Sequence, residues 1–176
     1  MIVTNAALGP SAPRTAEAPI TTTIATSFEA ANISREEWDH VVLDTEGDIF
    51  SSYDWCRIWW RHYGKDRLLR LLIFRQQGRL VGLAPMFIER IGLGPFAIRI
   101  AKPLSADFMV DVFAFPIPAR HSEAIYREIV SCLIATERCD AVWFGFTPAE
   151  HHSLASLRAI VNENDGLARC ARDARC

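Results

Sequence analysis

The sequence predicts an α/β fold, a mixed sheet flanked by helices, in which antiparallel hairpins precede a strand–helix–strand unit. Three observations carry this expectation. Two apolar runs, Leu68 to Arg75 and Arg79 to Glu89, are joined by the tight turn Gln76, Gln77 and Gly78, which reads as a hairpin. Ser34 and Glu37 stand at capping-box spacing, and Thr147, Pro148 and Glu150 supply a second helix start. Half of the 176 residues are apolar and 23% are charged, the composition of one buried core. That length leaves no room for a separate cofactor domain beside a separate substrate domain.

Residues 1–19 hold Pro10, Pro13 and Pro19 among Ala, Ser and Thr, and read as a disordered leader. A domain over residues 20–162 follows, then an irregular tail over 163–176. From Ile20 the β-branched run to Phe28 predicts a first strand. The helix capped at Ser34 takes Ile33 and Trp38 as its staple and ends near Leu43. A second helix starts after Phe50 with Ser51 and Ser52 as caps; Trp55, Ile58, Trp59 and His62 recur at helical spacing until Gly64 stops it. In the hairpin, Pro85 lacks an N–H, which predicts a bulge or an edge position. Phe96 to Lys102 and Phe108 to Phe115 are apolar enough for two more strands. Residues 119–138 then form a helix with Ile125, Ile129, Cys132 and Leu133 on one face. Ala141 to Phe146 reads as a strand buried on both faces. The last helix carries Leu154, Leu157, Ile160 and Val161, and no closing strand pair follows it, so the sheet is expected to be incomplete at its C-terminal side.

Nineteen Lys and Arg against 21 Asp and Glu leave no general basic field for nucleic acid or an anionic membrane. No apolar stretch is long enough to span a membrane, and the first residues lack the pattern of a secretory signal, so the expected location is the cytoplasm. The five cysteines, Cys56, Cys132, Cys139, Cys170 and Cys176, include no C-x-x-C pair, so no metal site is signalled.

The run FSSYDWCRIWWRHYG from Phe50 to Gly64, followed by LLIFR from Leu71 and GRLVGLAPM from Gly78, resembles the N-terminal half of the cellulose-biosynthesis acetyltransferases of the CelD type. These are relatives of the FemAB aminoacyl transferases, and both groups pair two GNAT-like (N-acetyltransferase) domains. The resemblance spans roughly residues 20–160 and implies a GNAT-like α/β (α+β) half of an acyltransferase in envelope, exopolysaccharide or cellulose biosynthesis. It implies acetyl-CoA or another acyl-CoA as donor, and a small-molecule or saccharide acceptor. SADFMVD, from Ser105 to Asp111, matches the segment where such proteins carry an aspartate, an aromatic residue and a second aspartate.

Working GNAT domains cradle the CoA pyrophosphate on an Arg/Gln-x-x-Gly-x-Gly/Ala loop. The equivalent place here reads FPIPAR, from Phe115 to Arg120, with no glycine to admit a phosphate and two prolines that have no N–H to offer it. The lookalike ERIGLG, from Glu89 to Gly94, sits between strands where no helix N-terminus faces a phosphate. This chain alone is therefore expected to bind no cofactor and to be inactive by itself. Its expected partner is a second GNAT-like half or a second copy, meeting it near Trp143, Phe144 and Phe146.

Candidate substrate-binding residues are Asp107 and Asp111, which suit a hydroxyl or amine, and Tyr53, Trp55 and Trp59, whose flat faces suit a sugar or acyl chain. Solvated surface is the competing reading of the two acids, and core packing that of Trp55 and Trp59. His151 and His152 head the last helix without a third ligand at metal spacing. The sequence points to no catalytic base. The alternative function is a non-catalytic binding or scaffolding module that keeps the fold without its own CoA site.

Overall fold

The computed structural model describes residues 18–45, 47–105, 114–145 and 151–163. Its elements are β1 (Ile20–Ala25), α1 (Arg35–Asp44), α2 (Tyr53–Tyr63), β2 (Leu68–Gln76), β3 (Arg79–Ile91), β4 (Ile98–Pro103), α3 (Ser122–Ser131), β5 (Ala141–Val142) and α4 (His152–Glu163). The sheet runs in the order β1-β2-β3-β4-β5, antiparallel through β4, with β5 parallel to β4. The expected α/β class and mixed, helix-flanked sheet are therefore present.

Strand alternation sends the side chains of β2 and β3 to two cores. Leu72, Phe74, Ala84, Met86 and Ile88 meet Ile125 and Ile129 of α3 and Ile160 of α4 on one face. Leu69, Leu71, Ile73, Leu83 and Phe87 meet Trp38, Val42, Cys56 and Trp59 of α1 and α2 on the other. This near-continuous apolar character is what burial on both faces demands. The expected strand 141–146 is different. Only Ala141 and Val142 pair with β4, Trp143 N–H adds a bond to the Ala101 carbonyl at 2.8 Å, and residues 141–145 are half-buried. The apolar run is spent on helix packing instead, since the Phe144 ring lies edge-on to Tyr126 of α3 at 5.7 Å. Phe146 lies outside the described residues.

Pro85 occupies neither an edge nor a bulge. It stands in β3, between β2 and β4, opposite Leu71, and the register irregularity falls near Phe74 and Arg75. Its carbonyl accepts the Leu104 N–H at 2.9 Å just past the end of β4. In an antiparallel ladder a residue's N–H points to the same side as its carbonyl, so the missing donor falls on the last rung and interrupts nothing beyond it. The first strand stops at Ala25 rather than Phe28, because Ser27 Oγ accepts the Ala30 N–H and turns the chain, while Phe28 enters the core. The fourth strand starts at Ile98, two residues late, behind a 3-10 turn over Gly94–Phe96. Most of the expected strand 108–115 lies outside the described residues, and its described end, Ala114 and Phe115, is not strand.

Three helix expectations need adjustment. Ser34 Oγ does accept the Glu37 N–H at 3.1 Å, yet the Glu37 carboxylate pairs with Arg75 of β2 at 2.7 Å rather than closing the box. On α2 the buried line is Cys56 and Trp59, while Ile58 and His62 face outward. The helix expected over 119–138 ends in a π turn over Cys132–Thr136. That turn sets Glu137 opposite Arg70 of β2 in a two-bond pair of 2.6 and 2.9 Å, a geometry that clamps α3 to the sheet.

Trp38 joins α1 to the start of α2. It is fully buried, and its indole N–H donates to the Ser51 carbonyl at 2.9 Å. Trp38→Phe leaves that buried acceptor unpaired and should cost about 1–3 kcal/mol in urea unfolding. A loss of only a few tenths would show that the bond contributes nothing to the α1–α2 unit.

Candidate functional site

The site is built on the turn before α2. Asp48 caps a 3-10 turn by accepting the Ser51 N–H at 3.2 Å, which buries Ser51 and directs its hydroxyl to the Ala114 carbonyl at 3.2 Å. One turn further on, the Trp55 indole N–H donates to Ser105 Oγ at 2.7 Å, with Phe50 edge-on to its ring at 5.0 Å. Ser105 and Ala114 are the described residues that flank the segment 106–113. Both flanks are thus fastened to the N-terminal end of α2. Ser105 is buried at φ 79, a left-handed conformation that a non-glycine residue holds only when its surroundings fix it. Asp107 and Asp111 belong to the segment between these flanks and lie outside the described residues.

The three aromatic candidates do not share one groove. Trp55 is half-buried at the flank just described. Tyr53 is half-buried too, its N–H donating to Asp39 Oδ1 at 2.8 Å and its ring edge-on to Phe28 and Trp38, both at 5.6 Å. Trp59 is 3% exposed and stacked on Phe87 at 5.4 Å, so its faces belong to the core rather than to a ligand. Burial, above all, raises the Asp48 carboxyl above its ordinary value. Burial also pushes the Cys56 thiol well up, with the Asp48 and Asp39 charges adding to it, which leaves Cys56 a packing residue and not a nucleophile.

A second polar cluster joins the N-terminal ends of α3 and α4. Ser122 and Ser156 share a hydrogen bond of 2.8 Å, and His152 Nδ1 stands 3.0 Å from Ser122 Oγ. Burial raises the Tyr126 phenol well above the ordinary value, with Ser153 and the Phe115 backbone acting in the opposite sense. His151 acts as the cap of α4, its Nδ1 accepting the Ser153 N–H at 3.3 Å with Ser153 Oγ at 2.6 Å. The rings of His151 and His152 are 4.1 Å apart. Burial lowers both histidines below the ordinary value, and the neighbouring His151 charge lowers His152 further. Among the described residues no three His, Cys, Asp or Glu side chains gather as metal ligands.

Reading the sequence missed Asp48, Ser105, Ser122, Tyr126, Ser153 and Ser156. Ser153 and Ser156 did leave a signal, since they continue the spacing of Ile160 and give α4 a buried face that begins with small polar residues. Ser105 left none, because its role depends on a partner 50 positions away.

No family model and no curated protein matches the chain. A solved structure of a transcriptional regulator from Bacillus halodurans C-125 is similar at a TM-score of 0.51 and 13% identity, over 89% of this chain and 99% of that one. A point mutant of a Bacillus halodurans structural-genomics protein superposes at a TM-score of 0.47 and 16% identity, over 88% of this chain and 96% of its own. The first likeness is one of fold. Among the described residues no helix is long and apolar enough to cross a membrane.

The histidine pair makes stability depend on pH. A His pKa lowered by folding means that the unfolded chain binds more protons below its ordinary value near 6.5, so stability is full above that pH and declines as pH falls toward the lowered value. Protonation of His151 at Nδ1 also removes the acceptor that caps α4. The melting temperature of the wild type should fall more between about pH 7 and pH 5 than that of His151→Asn/His152→Gln, in which Asn keeps the cap. Parallel curves for the two proteins would rule out the pair as the source.

Proposed function

We propose that this chain is the N-terminal, GNAT-like half of an acyl-CoA-dependent acyltransferase of envelope, exopolysaccharide or cellulose biosynthesis, and that it serves the acceptor rather than the thioester. The observation that supports the reading best is the order and sense of the elements. Two helices separate β1 from the antiparallel run β2, β3 and β4, and a helix then leads to a strand parallel to β4. The resemblance of the Phe50 to Met86 segment implies that arrangement.

Support for an acceptor role comes from the flanks of segment 106–113. Hydrogen bonds from Ser51 and Trp55 hold Ala114 and Ser105 against the start of α2, a frame at the two flanks of the segment whose aspartates the resemblance assigns to substrate. Acyl transfer to an amine or hydroxyl needs that group held in place and relieved of its proton. An aspartate on such a frame supplies an acceptor for the O–H or N–H.

A second reading, a binding or scaffolding module without acyl transfer, is favoured by the packing of Phe115 to Pro118. The Pro116 carbonyl accepts the Leu83 N–H at 3.2 Å, and the Ile117 side chain is buried against the sheet beside Gly82. This stretch is occupied in closing the core, and Pro116 and Pro118 have no N–H to direct at a pyrophosphate.

Kinetics of the full-length product of this reading frame separate the two. With acetyl-CoA and a panel of saccharide and amine acceptors, Asp107→Asn and Asp111→Asn should raise the acceptor KM about tenfold or more without changing the melting temperature. Unchanged kinetics in both variants would remove these acids from the site. Absence of any acyl transfer by the full-length protein would favour the scaffold.

A further inference from the structure

The hairpin joining β3 to β4 has an unusual end. From Ile91 to Ile98 the chain reads Ile, Gly, Leu, Gly, Pro, Phe, Ala, Ile, with no charge anywhere in the run. Leu93 is 88% exposed and Phe96 87%, and Ile91 and Ile98, paired across the hairpin, are exposed as well. The last rung between β2 and β3 joins Leu68 to Ile88, so β3 runs on three residues past its neighbour, about 10 Å at the rise of a strand. The apolar residues therefore sit on a projecting finger. Its turn satisfies part of its own backbone, with Phe96 N–H on the Leu93 carbonyl at 3.2 Å and Ala97 N–H on the Gly94 carbonyl at 3.3 Å, which reduces the cost of leaving water.

The base of the finger is basic. Arg90 and Arg99 face each other across the hairpin directly behind the uncharged run. An open groove of about 430 Å³ at this end of the sheet is bordered by Lys65, Arg67, Arg90 and Arg99, against Asp66 and Glu89. Glu89 is already engaged by Arg67 and Lys102, at 3.1 and 2.5 Å. One Arg99 nitrogen donates to the Glu137 carbonyl at 3.0 Å, and its Nε is buried without a hydrogen-bond partner among the described residues. Arg90 and Lys65 are exposed.

We propose that this finger docks the protein on an anionic membrane surface. Leu93 and Phe96 enter the boundary between headgroups and acyl chains, and the exposed Arg90 and Lys65 meet the lipid phosphates. The shape selects this occupant. A protein interface of ordinary size needs a broad patch with a polar rim, whereas a narrow convex tip with bulky apolar ends and a basic collar matches the depth and charge profile of a bilayer interface. The net charge of −2 is an average over the whole chain and does not describe this collar. The proposal is independent of any acyltransferase chemistry.

Co-sedimentation with vesicles tests it. The full chain should pellet with phosphatidylcholine vesicles that contain phosphatidylserine, less with phosphatidylcholine alone, and less as salt is raised. Leu93→Ser/Phe96→Ser should reduce the partition coefficient about tenfold or more at an unchanged melting temperature, since both side chains are solvent-exposed. Arg90→Glu should reduce binding to the phosphatidylserine vesicles alone. No binding to either vesicle, or equal binding by the double variant, would overturn the proposal. So would a wild-type dimer that the double variant abolishes, which would assign the finger to a second copy of the chain.

Discussion

The structure depends on one constraint, the burial of the β2–β3 hairpin on both faces. Leu71, Leu72, Ile73 and Phe74 are consecutive in sequence and all buried, so alternate side chains need a cover on opposite sides of the sheet. α1 and α2 supply one cover, α3 and α4 the other. Gly82 shows how close that cover comes, because a Cβ there would meet Ile125 Cδ1 at 3.1 Å. The bond from Trp38 to Ser51 and the pair between Arg70 and Glu137 then fix one layer on each side.

The candidate site follows from the first of these layers. Because α1 and the turn before α2 are joined through Trp38, Ser51 of that turn and Trp55 of α2 each present a donor, to the Ala114 carbonyl and to Ser105 Oγ. The same closure gives Phe115 to Pro118 a structural task, with Ile117 serving as core. On the other side of the sheet, Ser122, Ser156 and His152 join α3 and α4 through small hydrogen-bonding side chains, while Leu157 and Ile160 of α4 pack on the shared core.

Local signals were legible where the chemistry is local. The caps at Ser34 and Gly64, the turn before Arg79 and the apolar runs of the hairpin all rest on neighbours within a few residues. What escaped depends on distant partners. A continuous apolar run such as Ala141 to Phe144 fits a strand buried on both faces and a short strand with packing rings equally well, and only the position of Tyr126 decides between them. Pro85 read as a bulge or an edge position because its rung could not be known without the end of β4. At the site, Tyr53, Trp55 and Trp59 were visible as aromatic residues, but their spacing does not distinguish a face against Phe87 from a bond to Ser105.

Acceptor binding without a cofactor site of its own is the central claim, and isothermal titration of this chain with acetyl-CoA tests it most directly. No heat of binding is expected, since Pro116 and Pro118 offer no N–H and the Pro116 carbonyl is engaged by Leu83. Stoichiometric binding with a dissociation constant on the order of micromolar would contradict it and place a working thioester site within these residues.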